Sequence, residues 1–264
     1  MELKFEKEDS LNVGVLKQLP ISYNSYMGIV DDLNQSKDRR PIYASITQAL
    51  ERFDIVFSPS YSFSVIAKCA LEQIVNRSKG KDSLIIPGLM PLVSQKNNYF
   101  MGNPLVYDGK VVGVVLKNDL SDFDRMLLKY SKGLGAVKAN RVGNVSLLSD
   151  GLYDFKNLKL KMYTANKFEN SYLQEGAINF TSGIPFSRVK NKMQKQIEID
   201  PEVGDMMVVS VDNYCPDGNK RERCSITNII SDRILYSLNM IEKKVWESYV
   251  VPKEVLSNYV SHND

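Results

Sequence analysis

The fold is decided first by residues 41–74, PIYASITQALERFDIVFSPSYSFSVIAKCALEQI. After Pro41, apolar residues recur from Ile42 to Phe53 at intervals of four, four and three residues, which is typical of a helix packed on a core. Asp54 to Phe57 is a short apolar run and predicts a strand. Apolar periodicity from Phe63 onward predicts a second helix that ends before Gly80. The segment therefore predicts helix, strand, helix.

The residues that follow continue this mixture. Ser83 to Ile86 predicts a strand, and Asp108-Gly109 between two apolar runs predicts a two-residue β-hairpin. A third helix is predicted to begin at the N-cap Ser121 and to end at Gly133 and Gly135. Upstream, residues 1–6 alternate as a strand and an irregular region follows to about residue 40. We therefore expect an α+β domain over residues 1–142.

Beyond a boundary near residue 142, short strand-like runs dominate. They cover 145–148, 158–163, 177–180, 196–199, 206–211, 224–230, 233–238 and 245–251. The number and spacing of the last runs favour a small closed barrel at about 200–260, of the Src-homology-3-like or oligonucleotide-binding type. The predicted fold class is α+β, with an N-terminal helix and strand body and a β-rich domain, 143–264, that ends in this barrel.

Composition limits the classes of protein. With 43% hydrophobic and 25% charged residues in 264, the chain is expected to fold as a globular body. No run of 18 apolar residues is present, so no membrane partner is expected. Three cysteines, Cys69, Cys215 and Cys224, form no CxxC pair and favour a reducing compartment. We expect a cytoplasmic protein, in a host cytoplasm or virion if it is viral.

Motifs for catalysis or cofactor binding are missing from the sequence. The single histidine, His262, cannot supply a zinc cluster or a serine–histidine pair, so no metal, no cofactor and no catalytic residue is predicted. Asp122 and Asp124 could serve a metal, but they fall in the first turn of the predicted helix, where acids favour the dipole. An enzyme is the less favoured class, although two acids from distant positions could still form an active site.

Positive charge is concentrated in the middle of the chain. Between Arg125 and Lys195 there are thirteen lysines and arginines against four acids, although the net charge of the whole chain is only +3. Basic residues interleaved with aromatics are typical of grooves that bind single-stranded nucleic acid. The candidate nucleic-acid-binding residues are Lys156, Lys159, Lys161, Tyr163, Lys167, Arg188, Lys190, Lys192, Lys195, Lys220, Arg221 and Arg223. The alternative is that the lysines of 158–162 are simply the wet face of a half-buried strand.

Two functions follow from these observations. The favoured prediction is a non-enzymatic structural or adaptor protein of a larger assembly, viral or phage-encoded, whose partners are other protein subunits in a homo- or hetero-oligomer. The alternative is a protein that binds nucleic acid, single-stranded or without sequence preference, through the basic region 125–195.

Overall fold

The computed structural model describes residues 10–16, 46–58, 60–61, 70–133, 140–182, 184, 186–204, 206–212, 226–231, 234–238 and 246–252. Its strands are β1 (Ser10–Leu16), β2 (Ile55–Phe57), β3 (Leu84–Ile86), β4 (Met90–Val93), β5 (Tyr99–Tyr107), β6 (Lys110–Leu116), β7 (Ser146–Leu148), β8 (Leu152–Phe155), β9 (Leu158–Tyr163), β10 (Ile178–Ser182), β11 (Met207–Asp212), β12 (Ile226–Ser231), β13 (Ile234–Leu238) and β14 (Trp246–Pro252). Its helices are α1 (Ala70–Ser78), α2 (Asp122–Gly133), α3 (Ala165–Asn170) and α4 (Phe186–Ile199). In these ranges no helix is both long and apolar enough to cross a membrane.

The strands form two mixed sheets. Sheet A has eight strands in the order β14-β1-β2-β3-β5-β6-β7, with β4 paired to β5. Its β1, β2 and β3 are mutually parallel, whereas β5 runs antiparallel to both β3 and β6. Sheet B has six strands in the order β13-β12-β11-β10-β9-β8, of which β9, β10 and β11 are parallel. Both sheets therefore have a parallel centre flanked by antiparallel strands.

The two sheets pack face to face. One buried cluster joins Val13, Ile55 and Leu84 of sheet A to Leu160 and Phe180 of sheet B. We call the faces that meet here the inner faces. Because side chains alternate along a strand, residues two apart share a face. This rule distinguishes inner-face from outer-face residues at positions next to the cluster.

Helices cover both outer faces. On sheet A, Leu71 and Ile74 of α1 pack with Leu50 against Val56 and Ile85. On sheet B, a second outer cluster includes Phe168 of α3 and Val189 and Met193 of α4, with Tyr163 and Val208 of the sheet. The molecule therefore has four layers, helix, sheet, sheet and helix, as expected when each sheet has two apolar faces to bury.

Several local predictions are confirmed. The hairpin turns at Asp108 and Gly109, whose φ values of 44° and 71° are those of a type I′ turn. The strands at 83–86 and 158–163 are present as β3 and β9, and the helix after Ser121 is present as α2, ending at Gly133. Of the predicted helix 41–53, residues 46–49 are helical. The predicted strand at 1–6 lies outside the described residues.

The predicted fold, an α+β body followed by a small barrel at 200–260, is wrong. β11 continues sheet B by pairing in parallel with β10, and β14 pairs with β1 of sheet A. These strands therefore complete two open sheets and do not close on one another. The strand predicted at 196–199 is also wrong, because those residues are the last turn of α4. The domain boundary near 142 stays a prediction.

Candidate active site

The parallel strands of both sheets end at the same end of the sandwich, which we call the carboxyl end. Phe57, the last residue of β2, stacks edge-on against Phe180 of β10 with the ring centroids 5.1 Å apart. Just beyond, the backbone N–H of Ser60 donates to Ser182 Oγ at 2.5 Å and ties the two sheets together. In open α/β sheets, ligands bind in the crevice outside the carboxyl ends of the strands. The reactive groups at this end are therefore the candidates for a binding site.

A buried ion pair lies at this end. β6 runs in the same direction as β2, because β2 is parallel to β3 and β5 is antiparallel to both β3 and β6. Lys117 directly follows β6 and therefore lies at the carboxyl end. Its Nζ lies 2.6 Å from Oδ2 of Asp124 in the first turn of α2, and the two side chains are 8% and 0% exposed. A paired lysine and aspartate that are both desolvated interact more strongly than a surface pair.

The aspartate of this pair is also anchored within its own helix. Ser121 donates to Asp124 Oδ2 from its backbone N–H at 2.8 Å and from its Oγ at 2.7 Å. In return Ser121 Oγ accepts the backbone N–H of Asp124 at 3.2 Å, which is the reciprocal pattern of a capping box. The predicted N-cap at Ser121 is therefore confirmed, and it fixes the carboxylate that holds Lys117.

Tyr61 completes this group. Its hydroxyl donates to Asp124 Oδ1 at 2.9 Å and lies 3.4 Å from Lys117 Nζ, while its ring packs edge-on against Phe123 at 5.0 Å. Its φ of 66° is unusual for a bulky residue and marks local backbone strain of the kind found at functional sites. We call Lys117, Asp124 and Tyr61 the carboxyl-end cluster.

Two residues with hydroxyl groups, Thr164 and Ser182, lie at the carboxyl end of sheet B. Tyr163 pairs with Thr181 in the parallel register of β9 and β10, so the next residues, Thr164 and Ser182, are neighbours. Thr164 shares the inner face with Leu160 and Met162 by the two-residue period; it is 5% exposed, and its side chain makes no capping hydrogen bond to α3.

The neighbouring Tyr163 faces the opposite, outer side of sheet B. Its hydroxyl contacts the Tyr172 carbonyl and Asn179 Oδ1 at 2.9 and 3.0 Å. Burial raises the pKa of Tyr163 above its ordinary value, although the N–H of Gln174 works in the opposite direction. A neutral, hydrogen-bonded phenol therefore fixes the backbone at the end of β9, where Thr164 begins.

Four buried side-chain oxygens have no hydrogen-bond partner in the part of the chain that the structure describes. They are those of Ser58, Asn103, Thr181 and Ser210. Thr181 and Ser210 alternate with inner-face residues and so lie toward α4, on the outer side of sheet B. Asn103, 5% exposed, alternates with Leu105 on the inner face of β5 and lies opposite Val115, two residues before Lys117. It is therefore beside the carboxyl-end cluster.

The opposite end of the sandwich, the amino end, has a similar group. Lys156, in the turn before β9, lies 2.7 Å from Asp82, which precedes β3, and Tyr107 donates to the same carboxylate at 2.6 Å. Burial tends to raise the pKa of Asp82, but the hydrogen bonds from Lys156 and Tyr107 and the lysine charge outweigh it and lower that pKa. Burial and the adjacent carboxylate raise the pKa of Tyr107. We call Lys156, Asp82 and Tyr107 the amino-end cluster.

The other polar features lie elsewhere. A surface groove of about 550 Å³ runs between the 94–98 turn and residues 142–147, next to the edge strand β7, and does not include the carboxyl-end cluster. Within the described ranges, no three histidine, cysteine, aspartate or glutamate side chains are grouped as a metal site would require.

The predicted nucleic-acid-binding residues are dispersed. Lys156 belongs to the amino-end cluster, Arg188 pairs with Glu169 at 2.7 Å, and Lys192 contacts the Phe168 and Glu169 carbonyls of α3. Lys159, Lys190 and Lys195 are exposed, Lys161 lies 5.9 Å from the Tyr163 ring centroid, and Tyr163 is buried. The side chain of Lys167 and residues Lys220, Arg221 and Arg223 lie outside the described part. Their role in binding stays a prediction.

Comparison with solved structures relates the fold to enzymes. It is similar to a cysteine-to-alanine mutant of the Nesterenkonia AN1 amidase from the nitrilase superfamily, with 8% identity, a TM-score of 0.53, and 95% of this chain and 94% of the amidase covered. It is similar to a CN-hydrolase superfamily protein from Xanthomonas campestris with an arsenic adduct in its active site, with 11% identity, a TM-score of 0.53, and coverage of 95% and 93%.

A third similar structure is the glutamine-dependent NAD+ synthetase from Acinetobacter baumannii in complex with ADP. The identity is 12% and the TM-score 0.51, over 97% of this chain but 48% of the synthetase, so this chain spans about half the length of that enzyme. No protein-family model matches the sequence, and no curated protein matches it. At these identities the likeness describes the fold.

These comparisons overturn the functional predictions made from sequence. The structural or adaptor protein of a viral or phage assembly and the nucleic-acid-binding alternative are both wrong, because the similar solved structures named above are an amidase, a CN-hydrolase superfamily protein and a NAD+ synthetase. The preference against an enzyme is wrong for the same reason. The sequence argument failed because it required a histidine or a known motif, and the carboxyl-end cluster has neither.

The similar amidase has a cysteine in its active site. In another mutant of that amidase, the acetamide moiety of fluoroacetamide is covalently added at the active-site cysteine. The three cysteines of this chain, Cys69, Cys215 and Cys224, all lie outside the described residues. At the carboxyl end, the described groups are a lysine ammonium, a carboxylate, a phenol and inward-facing hydroxyls.

Proposed function

We propose that this protein is a hydrolase that cleaves the carbon–nitrogen bond of small carboxamides in the crevice at the carboxyl end. The observation that carries the proposal is the buried Lys117, held 2.6 Å from Asp124. Lys117 follows Val115 of the inner cluster by two residues and so belongs to the inner face by the alternation of side chains. Similarity of the fold to an amidase supports the same class of substrate.

Lys117 is suited to binding the carbonyl oxygen of the substrate. An ammonium group has three N–H donors, and the contacts to Asp124 and Tyr61 use two of them. Among the described residues nothing contacts the third, so it can donate to the oxygen, which gains negative charge as the carbonyl carbon is attacked. Asp124 and Tyr61 fix the position of the ammonium group before the substrate binds, so they act as positioning residues.

The described side chain best suited to attack is Thr164. Thr164 shares the inner face with Leu160 and Met162 by the two-residue period, and its side chain does not cap α3. In the first step the hydroxyl oxygen bonds to the carbonyl carbon, the carbon–nitrogen bond breaks, and the hydroxyl proton leaves with the nitrogen as ammonia. Water then cleaves the resulting ester, which releases the carboxylic acid and restores the hydroxyl.

Ammonia release from acetamide and propionamide tests this proposal. We expect turnover by the wild-type chain, a loss of about 100- to 1000-fold in kcat for Lys117→Met, and a larger loss for Thr164→Val. Thr164→Ser keeps the hydroxyl and should retain activity. Lys129→Met, at an exposed position of α2, is the matched control for the lysine.

A second comparison identifies the attacking group. The triple variant Cys69→Ala/Cys215→Ala/Cys224→Ala should release ammonia at the wild-type rate if the nucleophile is Thr164. Loss of activity in the triple variant, together with full activity of Thr164→Val, would assign the nucleophile to a thiol. Absence of ammonia release by the wild-type chain from every amide tried would refute the proposed function.

A further inference from the structure

The inner face of β5 contains a buried polar atom that has no role in the reaction proposed above. Asn103 is 5% exposed, and its Oδ1 has no hydrogen-bond partner among the described residues. Burying an amide oxygen without a donor carries a free-energy cost, and such groups are few in folded proteins. An apolar residue of similar shape would avoid this cost, so the asparagine needs an explanation other than stability.

Its position relates Asn103 to Lys117. The two strands pair with Asn103 opposite Val115, and the N–H of Lys117 donates to the Met101 carbonyl at 3.0 Å, which continues the register. Asn103 and Lys117 are therefore diagonal neighbours on one face of an antiparallel pair, with Cβ atoms roughly 7 Å apart. Long side chains at such positions reach the same small ligand.

The two groups are chemically complementary to a primary carboxamide. The ammonium of Lys117 donates and Oδ1 of Asn103 accepts, whereas a carboxamide offers an accepting oxygen and a donating NH2 on the same carbon. Each of the two contacts would be an ordinary N–H···O hydrogen bond of about 2.9 Å. An ester presents the same accepting oxygen but has no N–H.

We propose that Asn103 is a specificity-determining residue that accepts a hydrogen bond from the NH2 of the substrate and so selects primary carboxamides over esters. This inference rests on the proposed function, because it assumes that the carbonyl oxygen is bound by Lys117. A site built around a hydrogen-bond acceptor discriminates against analogues without the donor, since the buried acceptor would stay unpaired.

The test compares kcat/KM for propionamide and methyl propionate. Asn103→Leu should lower the value for propionamide about 10- to 100-fold and leave methyl propionate within about twofold. Asn103→Asp keeps an accepting oxygen and should retain the amide preference. Asn191→Leu, at an exposed position of α4, is the matched control and should change neither substrate.

Two outcomes would overturn the inference: equal losses on both substrates, which indicate a structural role, or no change on either. Thermal unfolding checks the fold, and Asn103→Leu should unfold at or above the wild-type temperature because an unpaired acceptor has been removed. If leucine is not accommodated, Asn103→Ala removes the same oxygen and the same comparison applies.

If the wild-type chain hydrolyses neither compound, the proposed function fails, and binding decides the inference about Asn103. Titration of propionamide followed by NMR should then show saturable binding to the wild-type chain and weaker binding to Asn103→Leu. Methyl propionate should bind both chains alike. Equal propionamide binding by the two chains would contradict the role of Asn103.

Discussion

The same three residue types meet at both ends of the sandwich. The carboxyl-end and amino-end clusters each join a lysine, an aspartate and a tyrosine, with lysine–aspartate distances of 2.6 and 2.7 Å. They differ in burial, because Asp124 is 0% exposed and Asp82 is 67% exposed. At the amino end, water can solvate the carboxylate, so the contacts mainly connect the two sheets. At the carboxyl end, the buried charges are held by each other and by the hydrogen bonds of Tyr61 and Ser121.

The largest difference between the two ends should appear when one charge is removed. Asp124→Asn leaves Lys117 buried without a counter-charge, and we expect the free energy of unfolding to fall by about 3–5 kcal/mol. Asp82→Asn should cost no more than about 1 kcal/mol, because its pair is exposed on one side. Urea denaturation of both variants at neutral pH measures this. Similar losses would show that burial does not distinguish the clusters.

Removing both charges at the carboxyl end separates stability from function. In Lys117→Met/Asp124→Leu no unpaired charge is left, so the double variant should recover most of the stability that Asp124→Asn loses, since apolar replacement of a buried pair is often neutral or stabilising. Circular dichroism and urea denaturation report the fold. A double variant as unstable as the single one would mean that the fold itself requires these charges.

The tyrosines offer a finer comparison. Tyr61→Phe removes a donor from the buried Asp124, and we expect a loss of about 1–3 kcal/mol in the free energy of unfolding. The ring contact with Phe123 should be unchanged, because phenylalanine keeps the aromatic ring. Tyr107→Phe should cost less than about 1 kcal/mol, since water can replace the lost donor at the exposed Asp82. Equal effects would contradict the assignment of the two environments.

The smallest expected effect is a dependence on pH at the amino end. The contacts of Asp82 lower its pKa, so the stability they contribute is present above the ordinary carboxyl pKa and is lost as pH falls through the lowered value. The stability difference between wild type and Asp82→Asn should therefore be constant near neutral pH and shrink under acid conditions. Urea denaturation over a pH series measures it; a difference that grows as pH falls would have the wrong sign.

Local structure was largely predictable from sequence. The Asp108-Gly109 hairpin and the alternating strand at 158–163 form as expected, because turn chemistry and a two-residue period are properties of neighbouring residues. β1 was missed because Gly14 weakens its strand pattern, yet a Cβ at that position would lie 2.1 Å from the Phe53 ring. The strand predicted at 196–199 arose because QIEI alternates polar and apolar residues, whereas Val189 and Met193 show the helical period.

The architecture and the site required long-range information. Pairing of β14 with β1 joins residues more than 200 positions apart, and no local pattern predicts it. Asp124 was interpreted as a residue of the helix's first turn, which is correct, but its burial was missed. A signal did exist, because Asp124 lies three residues before the buried Leu127 and so shares the apolar face of α2. A buried acid on that face needs a cation as its partner. Lys117, which directly follows an apolar strand, is a candidate for that cation.

The central claim is that the buried lysine at the carboxyl end serves a reaction. Its most direct test is the rate of ammonia release from propionamide by the folded Lys117→Met/Asp124→Leu variant relative to the wild-type chain. We expect near wild-type stability with a loss of at least about 100-fold in kcat. A folded double variant that releases ammonia as fast as the wild-type chain would contradict it.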